Sequence, residues 1–384
     1  MLFTGTEHLE IEIHGSIYNA PPTISMYQFV YDCYLEHGIE FARYLDGEFS
    51  IAILDHIERQ LIIACDPFKL KSMFVLLTPQ RTMQVVRGSL YSNLKLKVTL
   101  CSGRIFTPIE NSTLVYCAVT GELLKTVKNK HFTAVGYKRN FDDFIAAFEN
   151  AVYKRCKGET GKYVSMSSGY DSGCIFLAMR NQSQACTVYS DMRDPNAEEI
   201  VRQRVACHVN SKLVPIDNSP EYLTDALQFL KTNLDPAGYL YEIANVPGHE
   251  HLLMSQGGDV NHTNIELTAI SHGNHIHLNG LGADGLMVEG SMGHTGGIPP
   301  VRSAEYIYVD YISSILGIDV RFPFLDAKVV QEYLLLAKDV RDSAYKAPLK
   351  YYMEQNRFPF EENVKYGFGL KDWQKDIKVL YGKA

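Results

Sequence analysis

The chain has 384 residues, 46% hydrophobic and 21% charged, with a net charge of −7. Those values fit a globular protein of two domains or one large one, and they supply no general electrostatic footprint for nucleic acid. There is no apolar run of about 18 residues, so no membrane span is expected.

The first residues, Met1 to Glu7, lack the basic start and long apolar core of a signal peptide. The eight cysteines are scattered without a Cys-x-x-Cys pair. They read as buried thiols in a reducing compartment, which points to the cytoplasm and away from a disulfide framework or zinc knuckle.

In chain order, residues 1 to about 125 are strand-rich. Leu9 to Ile13 alternates apolar and polar residues. Ile24 to His37 predicts a helix. Phe49 to Asp55 and Gln60 to Cys65 predict a strand pair across His56 to Arg59. Val98 to Cys101 and Thr113 to Val119 add short strands. Periodicity weakens over 120–140, which places the domain boundary there, with domains 1–125 and 140–384. Helices then alternate with short strands: Phe141 to Arg155, a strand at 163–166, a helix from about 173, a strand from Ala185 to Tyr189, a helix from Ala197 to Val209, and a strand from Lys212 to Pro215. That order predicts an α/β chain whose second half is a doubly wound parallel sheet.

Ser167-Ser168-Gly169-Tyr170-Asp171-Ser172 lies between the strand at 163–166 and the following helix. A strand, a small-residue turn and a helix N-terminus make a pyrophosphate cradle from backbone N–H groups and the helix dipole. Asp171 adds a hard oxygen for Mg²⁺. The hexapeptide resembles the Ser-Gly-Gly-x-Asp-Ser loop (PP-loop) of ATP pyrophosphatases.

Flanking motifs sharpen the resemblance. Leu45 to Ile53 and Ala64 to Lys71 are similar to two segments of the glutaminase domain of asparagine synthetase, and His14 to Asn19 is similar to its Asn-Gly-Glu-Ile-Tyr-Asn. Leu278 to Gly285, Asp319 to Asp326 and Asn363 to Gly369 resemble, in order, three motifs of its synthetase domain. The resemblance implies an N-terminal sandwich-like α+β domain of degenerate Ntn glutaminase type, followed by a PP-loop synthetase domain. It implies ATP and Mg²⁺ as cofactors. Asp171 and Asp284 would hold the metal. Ser167, Ser168, Gly169, Ser172, Asn279, Gly280 and Gly282 would line the nucleotide, and Lys365 would be the catalytic cation.

The departures from that family set the expected function. Leu2 stands where its glutaminases carry a nucleophilic cysteine, and the segment similar to Asn-Gly-Glu-Ile-Tyr-Asn comes early, at residue 14. The first domain is therefore expected to be a scaffold without glutaminase activity, as in β-lactam synthetases and lasso-peptide cyclases. Ser168 replaces a cradle glycine, which would cost about 1–2 kcal/mol if the site needs positive φ. Leu281 replaces an ionisable residue and cannot abstract a proton; Gly285 replaces an acidic one.

Seven of the thirteen histidines fall between 249 and 294. Alternation would put His275 and His277 on one strand face, and polar packing near the mouth of the site competes there with a metal site. Trp373 and the tyrosines 306, 308 and 311 read as core.

Three functions stay open: a glutamine-independent, AMP-forming amide ligase joining a small-molecule carboxylate to an amine; a related ligase acting on a peptide or a nucleoside; and a nucleotide-binding pseudoenzyme. The partners expected are the small substrates, with neither membrane nor nucleic acid, and a homodimer is left open.

Overall fold

The computed structural model describes residues 3–6, 8–71, 73–78, 83–87, 104–192, 195–217, 220–233, 258–287, 309–310 and 312–362. The chain divides into two compact units: Met1–Phe132 with Arg302–Ser314, and Thr133–Val301 with Ile315–Ala384.

The first unit is built on a six-stranded antiparallel sheet, in the order β1-β2-β3-β4-β8-β9, and a three-stranded one, β6-β5-β7. The strands are β1 (Phe3–Thr6), β2 (Leu9–Ile17), β3 (Gly47–Asp55), β4 (Gln60–Cys65), β5 (Met73–Leu77), β6 (Met83–Arg87), β7 (Arg104–Phe106), β8 (Ser112–Cys117) and β9 (Leu123–Lys128). β3 and β4 are apolar at nearly every position because both of their faces are covered. Phe49, Ile51, Ile53, Ile62 and Ala64 pack with Val30, Cys33 and Phe41. The alternate residues Ala52, Leu54, Leu61 and Ile63 pack with Met73, Val75, Met83 and Phe106 of the smaller sheet.

Helix α1 (Met26–His37) supplies Val30 and Cys33. It begins two residues after the expected Ile24 because the Ser25 side chain caps it, accepting from the Gln28 N–H at 3.1 Å.

β9 occupies part of the stretch expected to be linker, and the unit runs on to Phe132. It also takes in Asp310, which lies within the sequence-predicted second domain. There Lys71 Nζ meets one Asp310 oxygen at 3.3 Å and His14 Nε2 the other at 3.4 Å. The strand expected at Val98 to Cys101 lies outside the described residues.

The second unit centres on a five-stranded parallel sheet, ordered β12-β11-β10-β13-β14. Its elements are α2 (Asp142–Cys156), β10 (Lys162–Ser165), α3 (Tyr170–Asn181), β11 (Cys186–Asp191), α4 (Pro195–Ala206), β12 (Ser211–Ile216), α5 (Pro220–Asn233), α6 (Gly258–Ser271), β13 (Ile276–Leu278), α7 (Ala283–Met287), β14 (Asp319–Arg321), α8 (Ala327–Leu335) and α9 (Ala347–Gln355). The chain winds outward from β10 through β11 to β12, then returns to build β13 and β14 on its other side. The strand order therefore reverses between β10 and β13, and open α/β sheets bind ligands at such a switch point.

Tyr163, Tyr189 and Ile216 of the sheet pack with Ile265 and Ala269 of α6. Among the described residues no helix is long and apolar enough to cross a membrane. No disulfide occurs among them, and seven cysteines are free thiols.

Candidate functional site

The phosphate-loop residues follow β10. Gly169 is the N-cap of α3, with extended backbone (φ −66°, ψ 170°), and the helix begins at Tyr170. That start is three residues before the expected one. It puts Asp171 in the first helical turn, where a carboxylate is favoured by the dipole. Ser168 is not among the described residues with positive φ, so the strain expected of a non-glycine there does not arise.

The loop is held internally. Ser167 N–H donates to Ser172 Oγ at 3.0 Å, and Gly169 N–H donates to Ser167 Oγ at 3.2 Å. A single guanidinium anchors its carbonyls. Arg204 of α4 is fully buried and donates to the oxygens of Ser167 (2.8 Å), Ser168 (2.8 Å) and Gly169 (3.0 Å), and to Pro359 O (2.8 Å). Burial pushes Arg204 down to about 10, which leaves it charged at neutral pH. Gly173 makes room for it: a Cβ there would lie 2.7 Å from an Arg204 nitrogen. The Ser168 hydroxyl is buried without a hydrogen-bond partner.

The second motif lies against the first. A Cβ on Gly280 would come within 3.2 Å of Asp171 Cβ and 3.3 Å of Ser172 N. Asn279 Oδ1 accepts from Leu281 N–H at 2.9 Å, closing a local turn. Gly282 follows at φ +98°, which an L side chain rarely adopts. Asp284 then falls in the first turn of α7. The structure thus brings Ser167 to Ser172 and Asn279 to Asp284 together at the carboxyl ends of β10 and β13. Lys365 lies outside the described residues.

A different lysine joins the two aspartates. Lys346 Nζ lies 2.5 and 2.6 Å from the two Asp171 oxygens and 2.7 Å from Asp284 Oδ1. Its side chain is 2% exposed, against 24% for Asp171 and 51% for Asp284. Burial alone would disfavour the ammonium, but the two carboxylates hold it well above the ordinary lysine range. Lys346 sits at φ 47°, ψ 48°, immediately before α9, a left-handed conformation costing about 1–2 kcal/mol for a side-chain-bearing residue. The Tyr345 hydroxyl donates to Asp284 at 3.4 Å.

Sequence reasoning missed Lys346 and Arg204. Neither belongs to a local motif, and the one available signal was a lone lysine just ahead of a proline-started helix. The donor set fits the expected Mg²⁺ as far as chemistry goes, with two hard carboxylates side by side. Both donors are shared with an ammonium in this state.

The histidines separate by environment. β13 begins at Ile276, so His275 precedes the strand and is exposed, whereas His277 is fully buried. The expected pairing of the two on one strand face is therefore not found.

No protein-family model matches the chain, and no curated protein matches it, so the resemblance to asparagine synthetase rests on the motifs quoted above. Among solved structures, the chain is similar to one described as the allosteric regulatory enzyme of purine biosynthesis. The identity is 11% and the TM-score 0.25, over 56% of this chain and 62% of that one. It is also similar to glutamine phosphoribosylpyrophosphate amidotransferase from B. subtilis complexed with ADP and GMP, at 11% identity and TM-score 0.25, over 87% of this chain and 74% of that one. The chain spans 62% of the length of the first of these. Both descriptions are of enzymes. At such TM-scores, fold and activity are argued from this chain's own residues.

Proposed function

We propose that the protein is an ATP-dependent, glutamine-independent amide-forming ligase. It would adenylate a carboxylate and pass the acyl group to an amine, releasing AMP and pyrophosphate. The observation that carries this reading is the Asp171–Lys346–Asp284 cluster beside the phosphate loop, at the point where the sheet's strand order reverses.

In this reading the N-terminus of α3 and the loop anchored by Arg204 bind the phosphates. Asp171 and Asp284 would hold Mg²⁺, which when bound neutralises charge on the phosphates. Lys346 is a preorganised, water-shielded cation whose place is set before substrate arrives. The substrate carboxylate oxygen attacks the α-phosphorus and pyrophosphate leaves. The amine then attacks the acyl carbon, AMP leaves, and the amine gives up a proton. Leu281 offers no group for that proton.

Burial pushes two thiols of the first unit, Cys33 and Cys65, up, so neither is poised as a thiolate, whereas hydrogen bonds from Thr120 hold Cys117 at the end of β8 below the ordinary thiol range. The expected cytoplasmic setting belongs to the same reading.

Incubation with Mg·ATP and fractionated small-molecule extract tests it. AMP and pyrophosphate formed together with a mass-shifted small molecule is the expected result. ADP and phosphate as main products would overturn the mechanism, and a mass-shifted peptide or nucleoside would move the substrate class. The pseudoenzyme reading has one observation in its favour, the ammonium already seated on both would-be metal ligands. It requires ATP binding without AMP.

A further inference from the structure

We infer that His262, Glu266 and His277 form a buried site for one divalent transition ion, Zn²⁺ being the preferred occupant. This inference does not depend on the ligase reading.

His262 and Glu266 are four residues apart on α6 and so share one helix face. His277 comes from β13, the strand next to β10. One ligand atom from each of the three lies within 4.8 Å of the others. Glu266 Oε1 is 2.8 Å from His277 Nδ1 and 3.2 Å from His262 Nε2. Glu266 and His277 are fully buried, and the His262 side chain is 12% exposed, which leaves a route in from its side.

Two ligand-side atoms here are poorly paired: His262 Nε2 faces Glu266 Oε1 at 3.2 Å without hydrogen-bond alignment, and Glu266 Oε2 has no partner other than the Tyr163 hydroxyl. Leaving such groups unsatisfied in a core is costly. One ion bound to the cluster would satisfy both. The donor set also selects the ion. Two imidazoles and a carboxylate suit Zn²⁺ and its neighbours, whereas Mg²⁺ and Ca²⁺ prefer oxygen alone. The buried Tyr163 hydroxyl, which hydrogen-bonds to Glu266, is available as a further ligand.

The histidine beyond the ligand atoms is oriented as metal-bound imidazoles usually are. His277 Nε2 is 3.0 Å from Ser165 Oγ. If Nε2 carries the proton and donates to Ser165, the Nδ1 lone pair faces the cluster and can ligate. Without an ion, Nδ1–H donates to the Glu266 carboxylate at 2.8 Å; an ion would take the place of that proton. Such an ion would clamp α6 to the two strands at the switch point.

The test uses untagged full-length protein, stripped with chelator, reloaded with ZnCl₂ and dialysed in excess Mg²⁺. About one zinc per chain should remain by elemental analysis, with a rise in Tm of several degrees. Co²⁺ in its place should give a visible d–d spectrum. His262→Ala and Glu266→Gln should each lose most of the retained metal while circular dichroism stays native. Should those variants fail to fold, the wild-type protein still decides: ¹⁵N NMR of His277 reports the protonated nitrogen. Wild type that retains no zinc after loading, shows no Co²⁺ spectrum and keeps a protonated Nδ1 overturns the site.

Discussion

Asp66 in the first unit and Asp171 in the second both come from short segments singled out in the sequence, and the fold uses them in opposite ways. Asp66 is buried. Its two oxygens accept from the amides of Phe49 (3.1 Å), Phe68 (2.8 Å) and Leu70 (3.0 Å), tying β3 to the turn after β4. Asp171 is partly exposed and shares Lys346 with Asp284 at the carboxyl ends of β10 and β13. A motif aspartate that spends its acceptors on its own backbone preserves a fold. One that faces a cation where such sheets bind ligands is available for chemistry.

The division does not simply follow the units. Asp326, the last residue of the second unit's third motif, caps α8 through the Lys328 N–H at 3.0 Å and pairs with Lys154 and Arg155 at 2.5 and 2.9 Å. It belongs with Asp66.

The largest expected effect is on stability. Asp66→Ala leaves three buried amides without acceptors and should cost the first unit about 3–5 kcal/mol. Denaturant unfolding and hydrogen exchange in β3 and β4 would measure it. A loss under about 1 kcal/mol would show that the motif persists for another reason.

Next comes turnover. Asp284→Asn and Lys346→Met should each lower AMP formation by about 10²–10³, and Asp284→Asn should change stability by no more than about 1 kcal/mol, because Asp284 is half exposed and a surface pair contributes little. Equal losses of stability in the Asp66 and Asp284 variants would dissolve the contrast.

The pH response of two buried aspartates sharpens it further. Burial pushes Asp66 up to about 7 against three amide donors. Its folded value lies above its unfolded one, so its contribution is full at the acid end and is lost as pH rises from about 4 to 7, with a slope of up to about 1.4 kcal/mol per pH unit. For Asp326, burial raises the pKa, but Arg155 and Lys154 overcome that and hold it below the ordinary range. Its contribution is present above the unfolded value and is lost as pH falls through the folded one. Asp66→Asn should flatten the slope between pH 4 and 7, and Asp326→Asn the acid limb. Stability curves of the two variants that superimpose would remove the distinction.

The strand–helix alternation of the second unit and the turn at 167–169 were legible because each depends on contiguous residues: apolar runs, a small-residue turn, a helix start. β3 and β4 were legible for the same reason. Lys346 was not, since it stands 175 residues from Asp171 and only folding makes them neighbours. Arg204 looked like one more charge on a helix, yet it is fully buried against the loop carbonyls. Asp310 was placed in the wrong half because nothing local links it to Lys71 or His14. The start of α3 was misplaced by three residues because Gly169, taken for part of a longer turn, is its extended N-cap.

The smallest expected effect concerns the proton left by the amine. Leu281 lies in the turn closed by Asn279, three residues before the Lys346-bound Asp284. A carboxylate introduced by Leu281→Glu would join Asp171 and Asp284 around a single ammonium. That added negative charge should weaken Mg·ATP binding a few-fold. It should also supply a base, and general-base assistance is typically worth about 10²–10⁴ when well placed. A side chain grafted onto a loop without supporting contacts should recover only a small part of that, about tenfold in the amine step. The pH–rate profile is the measurement. Its rise should move to lower pH in the variant, because a carboxylate titrates well below an amine. An unchanged profile with ATP still bound would place residue 281 away from the reacting amine, and the proton would then leave through the substrate itself or through water.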